Sequence, residues 1–102
     1  MLTLDRMVAT SLLEQTFAVR ERVLTESVHD EMVILDLETT RYFGLNAVGA
    51  LVWSTLLDGH TGRQAIETVQ RQFHADADVI AEDVAELLRS LINEGLLVST
   101  TA

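Results

Sequence analysis

The amino-acid sequence predicts an α+β domain in which a three-stranded antiparallel sheet is followed by three helices. Two observations support this class. Residues 32–45 follow a strand, turn, strand pattern, and from residue 46 onward the apolar residues recur at helical spacing. A chain of 102 residues with 48% hydrophobic residues has room for one modest core. The helices should cover one face of the sheet, because neither layer can bury its apolar side alone.

The first half of the chain carries the predicted strands. Residues 18–24 are apolar at both ends and polar in the middle, which is typical of an edge strand, and residues 25–31 form a polar connection. Residues 32–37 are rich in Val, Ile and Leu, so they suit the central strand. A turn over residues 38–40 leads to a short return strand at residues 41–45.

The return strand at residues 41–45 has two distinct faces. Phe43 and Leu45 fall on one face, and Tyr42 and Gly44 fall on the other. At Gly44 either another backbone approaches closely or the strand bulges, and the sequence leaves both open. The strand has one charge and no proline, so its edge is poorly protected against pairing. It is therefore a candidate edge for an extended peptide.

Capping residues mark the starts of the three helices. Asn46 can cap the first helix, because its side-chain oxygen accepts a backbone N–H that has no helical partner. Thr61 and Gln64 match a capping box at the start of the second, and Asp76 or Asp78 caps the third. The predicted apolar faces are Val48, Leu51, Val52, Leu56 and Leu57 in the first helix, Ile66, Val69, Gln70 and Phe73 in the second, and Ile80, Val84, Leu87, Leu88 and Leu91 in the third.

Both ends of the chain are less clearly patterned. The apolar residues of positions 1–16 fit no single period, so we expect an N-terminal arm, flexible at least in part, outside a domain of residues 17–102. Gly59 and Gly95 lie where the first and third helices should end. Residues 96–98 form a short apolar tail, either a strand or a packed extension.

Composition and charge exclude several classes of protein. The chain has no cysteine, which removes disulfides and thiolate metal sites and fits a cytoplasmic protein. No apolar run approaches the ~20 residues that span a bilayer. The net charge of −9 argues against binding a nucleic-acid backbone, which requires clustered Lys and Arg. We therefore expect neither a membrane nor a nucleic acid as a partner.

Catalytic and metal sites find no support in the sequence. His29, His60 and His74 are scattered, and none has a partner at the spacing of metal ligands. The serines lack a nearby base, and no glycine-rich phosphate loop occurs. We therefore expect a protein without enzymatic activity, metal or other cofactor, which holds a ligand rather than transforming it.

Several segments stand in a characteristic order along the chain. They are Leu35-Asp36-Leu37-Glu38-Thr39-Thr40-Arg41-Tyr42-Phe43, then Leu45-Asn46 followed by Val48-Gly49-Ala50-Leu51-Val52-Trp53, then Asp83-Val84 with Leu87 to Leu91, and finally Glu94-Gly95-Leu96-Leu97. From Val33 to Val98 the chain thereby resembles the PqqD-like family, the leader-peptide recognition elements of ribosomally made and modified peptides. A free-standing chain of this length is similar to the small B1-type proteins of lasso-peptide biosynthesis.

The resemblance implies a winged-helix-like fold and a binding function. The leader of a precursor peptide would join the third strand as an added β-strand, with side chains entering a groove beside the third helix. The implied partners are the precursor leader and separate enzymes, a leader protease subunit and a macrocyclase in a lasso pathway or another modifying enzyme. The implied peptide-binding residues are Arg41, Tyr42, Phe43 and Gly44 on the strand and Val79, Asp83, Val84, Glu86, Leu87 and Leu88 on the third helix. For Val84 and Leu87 a core position is favoured over a pocket position, and both hold if the two residues form the floor of the groove.

The third helix and its caps, residues 76–94, are strongly acidic, with six acids against one base, Arg89. Asp76 and Asp78 are explained by the favourable position of anions at a helix N-terminus. Asp83 and Glu86 flank the apolar stripe instead, so we hypothesise that they steer and orient a basic residue of the peptide.

Three alternatives stay open at the level of sequence. The first is a PqqD-like peptide chaperone for a radical enzyme or another peptide-modifying pathway. The second is a winged-helix DNA-binding protein, which the acidic third helix disfavours because such proteins need a basic recognition helix. The third is a subunit-assembly module, in which the edge strand pairs with a partner protein or with a second copy of the chain.

Overall fold

Strands occupy the first half of the described chain, and helices occupy most of the second. The structure, a computed structural model, describes residues 12–100. In chain order the elements are β1 (Phe17–Val19), β2 (Val23–Val28), β3 (Glu31–Asp36), β4 (Arg41–Leu45), α1 (Ala47–Leu57), α2 (Gly62–Phe73), α3 (Ala77–Asn93) and β5 (Leu97–Ser99). Strands β2, β3 and β4 form an antiparallel sheet in that order, and β1 pairs antiparallel with β5 in a separate two-stranded ribbon. The predicted α+β class with a three-stranded antiparallel sheet is confirmed.

The predicted bounds of the first strand are wrong. The sequence predicts one strand over residues 18–24 and a connection over residues 25–31, whereas the chain turns at residues 20–22 and forms β1 before this turn and β2 after it. Five of the six β2 residues are exposed. A strand exposed on both faces has no apolar alternation, so the period of the sequence cannot identify it.

The ribbon of β1 and β5 joins the two ends of the described chain. The register pairs Phe17 with Ser99, and the Thr100 N–H donates to the Thr16 carbonyl at 3.0 Å. Of the two possibilities for the apolar tail at residues 96–98, a strand is the one observed. The side chains of Phe17 and Leu97 are both buried in the core.

The arm predicted for residues 1–16 falls mostly outside the described residues. Its described part includes Leu12 and Leu13, which are both buried in the core. Leu13 packs closely against the start of α2, where a Cβ added to Gly62 would lie 3.2 Å from the Leu13 Cδ2 atom. This part of the predicted arm therefore belongs to the packed domain.

The helix starts follow the predicted caps. The Asn46 side chain accepts a backbone N–H at 2.9 Å at the start of α1. Both hydrogen bonds of the Thr61–Gln64 capping box are present at the start of α2. Asp76, rather than Asp78, caps α3. The caps fix where each of the three helices begins.

The helices bury most of the predicted apolar faces, with three corrections. Leu57 at the end of α1 is 48% exposed and Phe73 at the end of α2 is 43% exposed, and Gln70 is exposed as well. Trp53 lies fully inside the core. No helix within residues 12–100 is long and apolar enough to cross a membrane. The largest fully buried side chains are Trp53, Ile34, Leu56, Leu88, Leu96, Val52, Val69 and Val84.

Candidate functional site

Strand β4 forms one edge of the three-stranded sheet. It pairs with β3 on one side, and within residues 12–100 no strand pairs with its other side. Its predicted alternation is confirmed, since Leu45 is buried and Phe43 is half-buried, whereas Tyr42 and Gly44 are exposed. Tyr42 is the most exposed large hydrophobic side chain among the described residues, at 74%. The outer edge of β4 is therefore open along its length.

The alternation of hydrogen bonds decides which backbone groups of β4 face this open edge. The Leu37 N–H donates to the Arg22 carbonyl at 2.9 Å, so the hydrogen-bonded pairs between β2 and β3 involve the odd-numbered residues of β3 and the even-numbered residues of β2. The even-numbered residues of β3 then form backbone hydrogen bonds with β4. Their register partners in β4 are Arg41, Phe43 and Leu45. Tyr42 and Gly44 consequently direct their N–H and C=O groups outward, away from the sheet.

A groove of about 560 Å³ separates β4 from α3. Its floor is apolar, and Asp83 and Glu86 are exposed at its rim on α3. Among the described residues that line it, none is basic. The lining residues are Gly44 and Leu45 of β4, Asn46, Val48, Gly49 and Val52 at the start of α1, and Asp83, Val84, Glu86, Leu87 and Ser90 of α3. The groove thus offers apolar surface together with negative charge.

Arg41 links the first residue of β4 to the C-terminal end of α3. Its Nη1 atom donates to Glu94 Oε1 at 2.9 Å, and its guanidinium lies 5.2 Å from the centroid of the Phe43 ring. The pair is partly exposed, so it contributes only about 0–1 kcal/mol to stability. It marks the end of the site at which β4 and α3 meet.

The structure brings together half of the predicted peptide-binding residues. Gly44, Asp83, Val84, Glu86 and Leu87 all line the groove. Val84 is buried and Leu87 is half-buried, so both belong to the core and to the floor of the groove at once.

The other predicted residues lie outside the groove lining. Leu88 is 0% exposed, and we assign it to the core rather than to a ligand surface, because a turn of about 100° per residue moves it away from Leu87. Val79 is 55% exposed and lies beyond the groove toward the start of α3. Arg41, Tyr42 and Phe43 lie on β4 itself, at the edge that the groove adjoins.

Sequence reasoning missed the contribution of α1 to this site. Asn46, Val48 and Gly49 follow β4 directly, and with Asn46 as the cap the first turn of α1 lines the groove. The change from strand to helix at residues 45–46 was the available signal. Within the described part of the chain, no group of three or more His, Cys, Asp or Glu side chains could hold a metal ion.

Comparison with known proteins assigns the chain to a family. Residues 31–97 match the model of the family described as Coenzyme PQQ synthesis protein D (PqqD). Because the match covers well over half of the chain, the chain belongs to the PqqD family, and the resemblance drawn from its motifs is confirmed. Among curated proteins, none matches the chain significantly.

Two solved structures are similar to this chain. One is TbiB1 in complex with the TbiA(beta) leader peptide, which is 32% identical with a TM-score of 0.74, over 82% of this chain and 96% of that one. The other is a lasso peptide synthetase B1 complexed with the leader peptide, which is 27% identical with a TM-score of 0.74, over 80% of this chain and 96% of that one. Both were determined with a leader peptide bound.

Proposed function

We propose that this chain binds the leader of a ribosomally made precursor peptide and delivers it to separate modifying enzymes. The leader pairs with the outer edge of β4 as a fourth strand, and some of its side chains enter the groove beside α3. The observation that carries the proposal is the open edge of β4, at which Tyr42 and Gly44 present their backbone groups next to an apolar, acidic groove. The leader peptides bound in the two similar structures support it.

Backbone pairing alone does not account for useful affinity. Tyr42 and Gly44 each offer one N–H and one C=O, and each hydrogen bond contributes a net ~0.5–1.5 kcal/mol. Their combined contribution is therefore about 4 kcal/mol, roughly half of the ~8 kcal/mol that a micromolar complex requires. Burial of apolar leader side chains in the groove has to supply the rest, at about 25 cal/mol per Å². Affinity and sequence preference thus both depend on the groove.

The charge of the groove selects a leader with a basic residue. Asp83 and Glu86 lie at the rim on α3, and the described ion pairs of the chain involve neither of them. A lysine or arginine of the leader placed between them gains a modest attraction. The same acids in α3 disfavour the DNA-binding alternative, because a phosphate backbone would meet negative charge at the helix.

The chain itself acts as a carrier in this proposal. It has no catalytic role, works in the cytoplasm where precursors are synthesised, and passes the bound leader to a leader protease and a macrocyclase of a lasso pathway. Strand addition leaves the part of the precursor that follows the leader free for those enzymes, since only a short extended segment pairs with β4.

The proposal is tested by titration with a defined peptide. A fluorescein-labelled synthetic peptide, carrying the leader of the precursor encoded beside the gene of this chain, is titrated with the purified protein and followed by fluorescence anisotropy. We expect saturable binding with a Kd well below ~100 μM, equivalent to a binding free energy beyond about −5.5 kcal/mol. A scrambled peptide of the same composition is the control. Equal anisotropy changes for both peptides, or no binding at ~100 μM, contradict the proposal.

A further inference from the structure

Strand β2 forms the second open edge of the three-stranded sheet. It pairs with β3 on one side, and within residues 12–100 no strand pairs with its other side. Because its even-numbered residues form the hydrogen-bonded pairs with β3, Thr25 and Ser27 direct their N–H and C=O groups outward. The strand contains one charged residue and no proline, so little in it opposes pairing with another strand.

Much of the exposed apolar surface lies on the face of the sheet that the helices do not cover. Ile34 of β3 is fully buried, so the alternate residues Val33 and Leu35 point away from the core. The register places Leu24 and Val28 of β2 on the same outer face. Of the nine exposed large hydrophobic side chains among the described residues, five belong to this face, namely Leu24, Val28, Val33, Leu37 and Tyr42. Apolar surface gathered in this way is typical of a protein-binding face.

The charge along β2 is negative. Residues 23–31 contain three acids, Glu26, Asp30 and Glu31, and no Lys or Arg, and the described ion pairs involve none of the three. A second copy of this chain, with its net charge of −9, would bring like charges together at this edge, which is unfavourable. The surface therefore fits an extended segment of a different protein that carries basic residues.

Strands β2 and β4 lie at opposite edges of one sheet. In the order β2-β3-β4 they are two strand spacings apart, or about 10 Å. Strand β2 supplies none of the described residues that line the groove beside α3. A protein that pairs with β2 would therefore be held next to a leader on β4 without competing with it.

We propose that β2 and the adjoining outer face of the sheet form the docking surface for the protease that removes the leader. A basic, extended segment of the protease adds to β2 as a strand, and apolar side chains beside it cover Leu24 and Val28. The protease is the partner that fits, because it cuts the precursor at the end of the leader and so has to work while the leader is held. The inference rests on the proposed function, since it takes leader binding at β4 as given.

The test measures binding of the purified chain to the leader protease encoded beside its gene, by biolayer interferometry. We expect Leu24→Gln to weaken protease binding about tenfold or more, as for an apolar anchor of an interface, and to leave leader affinity by anisotropy unchanged. Leu57→Gln is the matched control, because Leu57 is 48% exposed and Leu24 54% exposed, but Leu57 lies at the end of α1. It should leave both affinities unchanged.

A second variant tests the backbone of β2. Thr25→Pro removes an outward N–H, and proline is tolerated in an edge strand where the N–H faces away from the sheet. We expect it to weaken protease binding about tenfold or more, because it blocks strand addition, and to leave leader affinity unchanged, which also shows that the variant is folded. Thr25→Val, which keeps the N–H, is its control. Where Thr25→Pro lowers the melting temperature, the result for Leu24→Gln decides.

The outcomes separate this inference from the proposed function. Unchanged protease affinity in Leu24→Gln, competition between protease and leader, or no protease binding by the unsubstituted chain each overturns the inference and leaves leader binding intact. A dimer of the chain alone in sedimentation that Leu24→Gln dissociates would assign the surface to a second copy and overturn the inference as well. Absence of leader binding by the unsubstituted chain overturns the proposed function, whatever the protease affinities are.

Discussion

Glu82 and Asp83 are adjacent acids with different surroundings. Asp83 lines the groove beside β4, whereas Glu82 is exposed on α3 and lies outside the groove lining. Replacing either residue with lysine changes the net charge of the chain by the same amount. The two positions therefore separate a local interaction with a basic leader residue from the general attraction of an acidic protein for a basic peptide.

We predict that Asp83→Lys weakens leader binding roughly two- to fivefold at low salt, as expected for the loss of an exposed pair worth up to ~1 kcal/mol. Anisotropy titrations at about 10 mM and about 1 M salt would show the loss shrinking, because the screening length falls from ~30 Å to ~3 Å. Glu82→Lys is the control and should have a clearly smaller effect. Equal losses for both variants, or a loss that salt does not alter, would reject a local role for Asp83.

Helix α3 is an element with two apolar sides that serve different purposes. Leu88 is fully buried and holds the helix against the core, where a Cβ added to Gly62 would lie 2.9 Å from the Leu88 Cδ1 atom. Leu87 is half-buried and lines the groove. Adjacent leucines thus test whether stability and ligand binding are carried by separate faces of one helix.

We predict that Leu88→Ala lowers the free energy of unfolding by ~2–5 kcal/mol, the usual cost of a cavity in a packed core. Leu87→Ala should lower it by less than half as much, because part of its side chain already meets solvent. The ranking of the two variants is opposite for leader binding, which Leu87→Ala should weaken more than Leu88→Ala does. Urea unfolding and anisotropy on the same preparations measure both effects. Unchanged leader affinity in Leu87→Ala would remove this side of α3 from the site.

A second prediction at the scale of the element concerns only the backbone groups of strand β4. If the leader pairs with the outward groups of Tyr42 and Gly44, only every second leader residue donates a hydrogen bond to β4. Methylating the backbone nitrogen of those leader residues should reduce affinity at least tenfold, because each loses a hydrogen bond and adds a clash. Methylation of the intervening residues should have little effect. A titration series with single N-methyl leaders that shows no alternation would exclude strand addition.

The elements also show which parts of the fold the sequence predicts. The caps Asn46, Thr61 and Asp76 were predictable, since capping is a local hydrogen bond between residues close in sequence. Strand β2 was not, because it is exposed on both faces and depends on its pairing with β3. The sparse protection of residues 41–45 predicts an edge strand, and β4 lies at the edge of the sheet. The groove was predicted only in part, since α1 and α3 meet β4 through packing that no local pattern encodes.

At the scale of the whole molecule, the β1–β5 ribbon joins the two ends of the described part of the chain, and both strands contribute to the core. Phe17 of β1 and Leu97 of β5 are buried among side chains from the rest of the domain, and residues 16 and 100 are bridged by a backbone hydrogen bond. The ribbon supplies none of the described residues that line the groove. The ribbon should therefore contribute to the stability of the domain and not to leader binding.

We predict that Phe17→Ala lowers the free energy of unfolding by ~3–5 kcal/mol, the range for truncating a buried aromatic side chain. The free energy of unfolding of a natural domain is only ~5–15 kcal/mol, so the variant should unfold at a markedly lower urea concentration. Val98→Ala, at a position in the same ribbon that is 44% exposed, is the control and should shift the midpoint little. The fraction of Phe17→Ala that remains folded should bind the leader with unchanged Kd. An unaltered urea midpoint would show that the buried Phe17 ring does not contribute to the stability of the domain.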